Sequence, residues 1–85
     1  IVDQRMNDLS LFTATGEALF GPLWQSEMAR QLNVKLRTLQ RWAAGQFAVP
    51  PSIWVELDRL MADRQAELVR LAPLLRERAS KSTSE

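Results

Sequence analysis

Between Trp24 and Gly45 the chain runs Trp-Gln-Ser-Glu-Met-Ala-Arg-Gln-Leu-Asn-Val-Lys-Leu-Arg-Thr-Leu-Gln-Arg-Trp-Ala-Ala-Gly. Its spacing predicts two short helices joined by a tight turn. Met28, Ala29 and Leu32 recur at helical intervals and share one face. Asn33 falls where the chain must reverse, and Asn is among the few non-Gly residues that tolerate positive φ. Val34 is placed to plug the corner. In the second helix Leu36, Leu39 and Ala43 line one side with Trp42 beside them, while Arg37, Gln40, Arg41 and Ala44 line the other. Gly45 suits the residue just past a helix end. Ala29 supplies the small side chain that two closely crossing helices need.

These positions resemble the helix-turn-helix of the lambda-repressor-like family of bacterial and phage DNA-binding proteins. The resemblance rests on Gln25, the pair Met28-Ala29, Leu32, Asn33, Val34, Leu39 and Trp42, about a quarter of the chain. Asn33 stands where that family more often has Gly. Lys35 stands where it more often has a Ser or Thr cap, so this helix start lacks a side-chain acceptor. The resemblance implies an all-α fold in which 36–44 is a recognition helix, and it implies sequence-specific binding to duplex DNA by a transcriptional regulator, in the first place a repressor.

The charge distribution bears on that expectation. Before Trp24, Arg5 faces Asp3, Asp8 and Glu17. From Trp24 to Gly45, Arg30, Lys35, Arg37 and Arg41 face only Glu27, and beyond Gly45 six basic and six acidic residues cancel. The whole positive excess therefore lies in the two-helix stretch, where a phosphate backbone would want it. The plain alternative is a solvated basic face.

Eighty-five residues suffice for one domain with a small core. Cys and His are both absent, which removes disulfides, thiolate and imidazole metal ligation and imidazole catalysis. No metal site, cofactor or enzymatic activity is expected, and Gly16 and Gly21 lack the Lys-Ser/Thr of a phosphate loop. No apolar run approaches the roughly 18 residues of a membrane span. Without a basic segment leading into an apolar one, no secretory signal is expected, and the expected location is cytoplasmic.

The outer parts of the chain frame the motif. Residues 1–8 are expected to be a flexible segment, with Met6 a candidate natural start. A helical domain follows over 9–78, then a mobile tail over 79–85 rich in small polar residues. The first helix is expected within 8–20, starting near Thr13 or Thr15, with Leu19 and Phe20 in the core and Leu9, Leu11 and Phe12 packing as an arm or an earlier turn. Gly21-Pro22 ends it. Trp24 is expected in the core or as a staple. Pro50-Pro51 leads into the longest helical pattern, Ile53 to Ala72, which Pro73 should end or kink. The expected whole is a compact all-α bundle of about five helices, built around Ala29, Leu32, Val34, Leu39, Trp42 and Trp54.

Candidate DNA contacts follow from position and chemistry. Side chains near the start of a recognition helix reach deepest into the major groove. Here these are Lys35, Leu36 and Arg37, with Gln40 and Arg41 one turn later. Arg bonds guanine and Gln adenine bidentately, and Leu36 or Ala44 can touch a thymine methyl. Gln25, Ser26 and Thr38 suit phosphate contacts. Each has a simpler alternative: Gln25 caps its own helix, Arg37 holds phosphate, and Arg41 pairs with Glu27. The stripe Leu57, Leu60, Leu68, Leu71 and Leu75 approaches a heptad seam and suggests a homodimer, or else a helix folded back over the first three. The competing function is a protein-interaction module, or an antitoxin that binds a protein on one surface and DNA on the other.

Overall fold

The computed structural model describes residues 6–83. Among them every regular element is helical: α1 spans Asp8–Phe20, α2 Trp24–Leu32, α3 Leu36–Ala43 and α4 Pro51–Thr83. The all-α class and the long last helix are as expected, but there are four helices where about five were expected. Residues 1–5 and 84–85 of the expected flexible ends lie outside the described residues.

Helix α1 begins at Asp8, not near Thr13 or Thr15. Asn7 caps it, its side-chain oxygen accepting from the Ser10 N–H at 2.8 Å, with Asp8 as the acid of the first turn. The early start reorients the apolar face. Leu9, Leu11 and Phe12 form an earlier turn of α1 and not an arm, and while Leu9 and Leu11 are exposed, Phe12 is fully buried. It is the centre of the core.

All three tryptophans point an edge or a face at that ring. Its centroid lies 5.8 Å from Trp24, 6.2 Å from Trp42 and 6.0 Å from Trp54, at interplanar angles of 79°, 89° and 85°. Aromatic pairs favour this edge-to-face arrangement electrostatically, on top of the area they bury. One tryptophan comes from each of α2, α3 and α4, so a single side chain of α1 ties the four helices together. Met28, Ala29, Leu39 and Leu57 complete the buried cluster, with Leu32, Val34, Ile53, Trp54 and Leu60 packed against it. Gly16 lets α1 approach α2. A Cβ at Gly16 would lie 2.2 Å from Trp24 Cε3, so the indole occupies the place of a side chain.

Helix α4 starts with Pro51 in its first turn, where the missing N–H costs nothing. Pro73 neither ends nor divides it, and this uninterrupted course accounts for the lower helix count. Pro73 leaves the Val69 carbonyl without a donor, but Val69 is 69% exposed and water can take that carbonyl. Ion pairs one turn apart brace the same helix: Arg59 with Glu56 and with Asp63, Arg70 with Glu67, and Lys81 with Glu77. The helix continues to Thr83, so residues 79–83 of the expected mobile tail are helical.

Only the first three turns of α4 bury side chains against the rest of the domain, with Asp63, Arg64 and Glu67 beyond them lining a surface cavity beside Leu19, Phe20 and Gln31. Leu57 is buried and Leu60 and Met61 partly so, while residues 62–82 are exposed throughout. The molecule is consequently long, with extents of 55 × 31 × 20 Å and a radius of gyration of 16.5 Å. A compact chain of this length would have a radius of about 12 Å. The bundle is compact over α1 to mid-α4, and the remainder projects from it.

Candidate nucleic-acid interface

The turn between α2 and α3 is built by backbone geometry. Asn33 takes φ 57° and ψ 45°, the left-handed conformation. Its N–H donates to the Arg30 carbonyl at 3.2 Å, and the Val34 N–H donates to the Ala29 carbonyl at 3.0 Å. This pair of bonds is a Schellman motif, which satisfies carbonyls that a helix end otherwise leaves open. Lys35 then adopts extended backbone and starts α3 with no side-chain cap. The same device recurs at the other end of α3. Gly45, at φ 78°, donates to the Trp42 carbonyl and Gln46 to the Arg41 carbonyl, both at 3.0 Å.

Between these turns α3 is divided by its periodicity. Leu39 and Trp42 are buried and anchor it to the core, while Leu36, Arg37, Gln40, Arg41 and Ala44 are exposed. Arg37, Gln40, Arg41 and Ala44 thus lie on one open face, with Lys35 and Leu36 at its leading end. Thr38 is half-buried on the flank. At the start of α2, Gln25 is half-buried and Ser26 exposed, and no side chain caps this helix, so Gln25 does not serve as its cap. Trp24 belongs to the core, 5% exposed.

The cations of this face keep their charge uncompensated. Among the described residues, Lys35 and Arg37 have no ion-pair partner. Glu27 is engaged by Arg30 at 3.4 Å and accepts a hydrogen bond from Gln31 at 3.1 Å. Arg41 sits instead over the ring of Phe47, 5.9 Å from its centroid. An aromatic partner fixes a guanidinium without neutralising it. Phe47 was not among the residues singled out from the sequence. Its signal there was position, two residues beyond the glycine that turns the chain back on α3.

The expected dimer stripe divides in two. Leu57 is 3% exposed and belongs to the core, so it is not available to a second chain, and Leu60 is partly buried against that core. They fall within the turns of α4 that pack into the bundle. Leu68, Leu71 and Leu75 are 60%, 37% and 68% exposed, with Val69 and Leu74 beside them also open. Among the described residues no helix is long and apolar enough to cross a membrane, and no cluster of acidic side chains is arranged to hold a metal ion.

Comparison with family models, curated proteins and solved structures finds no match to this chain.

Proposed function

We propose that this chain is a sequence-specific duplex-DNA-binding transcriptional regulator, acting as a repressor, that presents α3 to the major groove. The observation that carries the proposal is the open face of α3. Three side chains suited to base edges, Arg37, Gln40 and Arg41, stand together on a helix held rigidly by Leu39 and Trp42. A helix fits the major groove, where every base pair presents a distinguishable pattern of donors and acceptors. Lys35, at the leading end, supplies a phosphate contact, and Gln25, Ser26 and Thr38 supply positioning contacts. The site of action is the cytoplasm, where bacterial and phage DNA is read.

Selection from a pool of random duplexes tests this directly. The wild-type protein should enrich one sequence pattern at low salt, and a pool that emerges unenriched overturns the proposal. Arg37→Ala should relax preference at one position of that pattern, with a loss of roughly 1–3 kcal/mol for the bidentate contact. Lys35→Ala should weaken all duplexes alike and reduce the salt slope by about one unit.

A second copy of the chain completes the proposed arrangement. One eight-residue recognition helix meets few base pairs, and regulators of this kind gain specificity by placing two such helices about 34 Å apart on the duplex. Leu68, Leu71 and Leu75 recur at heptad intervals on the projecting half of α4. Monomers seldom leave an apolar stripe of this kind open. The same stripe also favours the antitoxin-like reading, in which the occupant is a different protein. Sedimentation separates the two: a homodimer has twice the 9.7 kDa chain mass, whereas a chain awaiting another partner sediments as a monomer.

A further inference from the structure

Phe47 is a large apolar side chain, 59% exposed, immediately beyond the recognition face. Its placement follows from the backbone. Gly45 reverses the chain, and the Gln46 N–H is tied to the carbonyl of Arg41 itself. The next side chain is therefore delivered back alongside Arg41, whose guanidinium carbon lies 5.9 Å from the Phe47 ring centroid. That is within the range of about 6 Å in which a cation is held by an aromatic quadrupole. Glu27, the one carboxylate of the two-helix stretch, is engaged by Arg30 and Gln31.

We propose that Phe47 is a positioning residue that fixes the Arg41 guanidinium for its contact with DNA. The inference rests on the DNA-binding reading of α3. A free Arg side chain samples many rotamers, and ordering it on binding costs entropy. A carboxylate partner would order Arg41 but would cancel its charge and occupy its donors. A ring orders it and leaves the positive charge available for a phosphate or a guanine edge. Phe47 thus acts through Arg41, and the turn at Gly45 is part of the recognition apparatus as well as the helix terminator.

The test is a double-mutant cycle on the duplex that the wild-type protein enriches, with affinities measured by fluorescence anisotropy and folding checked by thermal melts. Phe47→Leu should bind about two- to fivefold more weakly, because the Arg41 side chain must then be ordered as the complex forms. Its melting temperature should fall by only a few degrees, because the contact is exposed and Phe47 lies outside the buried core. In an Arg41→Ala background, Phe47→Leu should cause no further loss, and Phe47→Trp in the native background should bind at least as tightly as wild type. Equal losses from Phe47→Leu with and without Arg41, or no loss at all, overturn the inference while leaving DNA binding intact. A wild-type protein that enriches no duplex overturns the DNA reading, and this inference with it.

Discussion

Replacing Gly16 by Ala sets two effects of known sign against each other. In an exposed helix interior the change gains about 1 kcal/mol, because Gly is the poorer helix former. At Gly16 the added Cβ would lie 2.2 Å from Trp24 Cε3, 2.5 Å from Cδ2 and 2.8 Å from Cζ3, whereas carbon atoms are at ease at about 3.5–4.0 Å. The indole would have to retreat by more than an ångström. It is 5% exposed and braced by Phe12, so α1 must move away from α2 instead. Overpacking of this kind costs roughly 1–3 kcal/mol. With three ring atoms in conflict the upper part of that range applies, leaving a net loss of about 1–2 kcal/mol after the propensity gain. For a domain of this size the loss lowers the melting temperature by about 5–15 °C, which scanning calorimetry measures easily. Trp24→Leu removes the six-membered ring, and in that background Gly16→Ala should become stabilising. A Gly16→Ala protein that melts at or above the wild-type temperature refutes the reasoning, as does a penalty that survives in the Trp24→Leu background.

Three further outcomes are expected. Phe12→Ala leaves three tryptophans around a void and should cost about 3–5 kcal/mol, much of the stability a small domain possesses; urea titration checks it. At Asn33, Ala should be less stable than Gly by about 1 kcal/mol, because only Gly and Asn enter the left-handed region cheaply; equal midpoints would mean that the turn relaxes. The Glu56 carboxyl is held below the usual carboxylate range mainly by the hydrogen bond from Arg59, with their charge attraction adding and desolvation opposing. A depressed folded value stabilises the protein above the unfolded carboxylate pKa of about 4.3, and that stability is lost as pH falls through the folded value. Arg59→Gln should therefore lower the melting temperature slightly at about pH 7, by an amount that shrinks as pH falls through the folded value, and a larger deficit in acid would contradict the assignment.

The turn between α2 and α3 was legible because its chemistry is local. Asn33, Val34 and Gly45 each carry their own conformational signature within a few residues of the bonds they make. Phe12 was not legible, since Leu9, Leu11, Leu19 and Phe20 blur the apolar periodicity of α1. The decisive clue there was subtler. Phe12, Gly16 and Leu19 lie on one helical face, all buried, and the gap left by Gly16 is filled by Trp24 from another helix. Asn7 followed by Asp8 was an available start signal that Thr15 obscured. Leu57 and Leu68 belong to one continuous stripe in sequence yet meet different surroundings. The difference depends on how far α1 to α3 reach along α4, a property of the assembled bundle that no local pattern encodes.

The gathering of Trp24, Trp42 and Trp54 around Phe12 has a spectroscopic consequence. The chain has no tyrosine, and residues 62–82 carry no aromatic side chain, so intrinsic fluorescence reports one point in the bundle and nothing of the projecting arm. Far-ultraviolet dichroism, by contrast, registers the arm's helix in full. A helical stretch of about 20 residues with no packing partner is marginal in water. In an isolated chain the arm should fray first, and dichroism should fall on heating before fluorescence changes. Where a second helix lies along Leu68, Leu71 and Leu75, the arm melts with the bundle and the two signals coincide. Two optical traces from one sample thus report whether the arm is covered, with no label and no mutation.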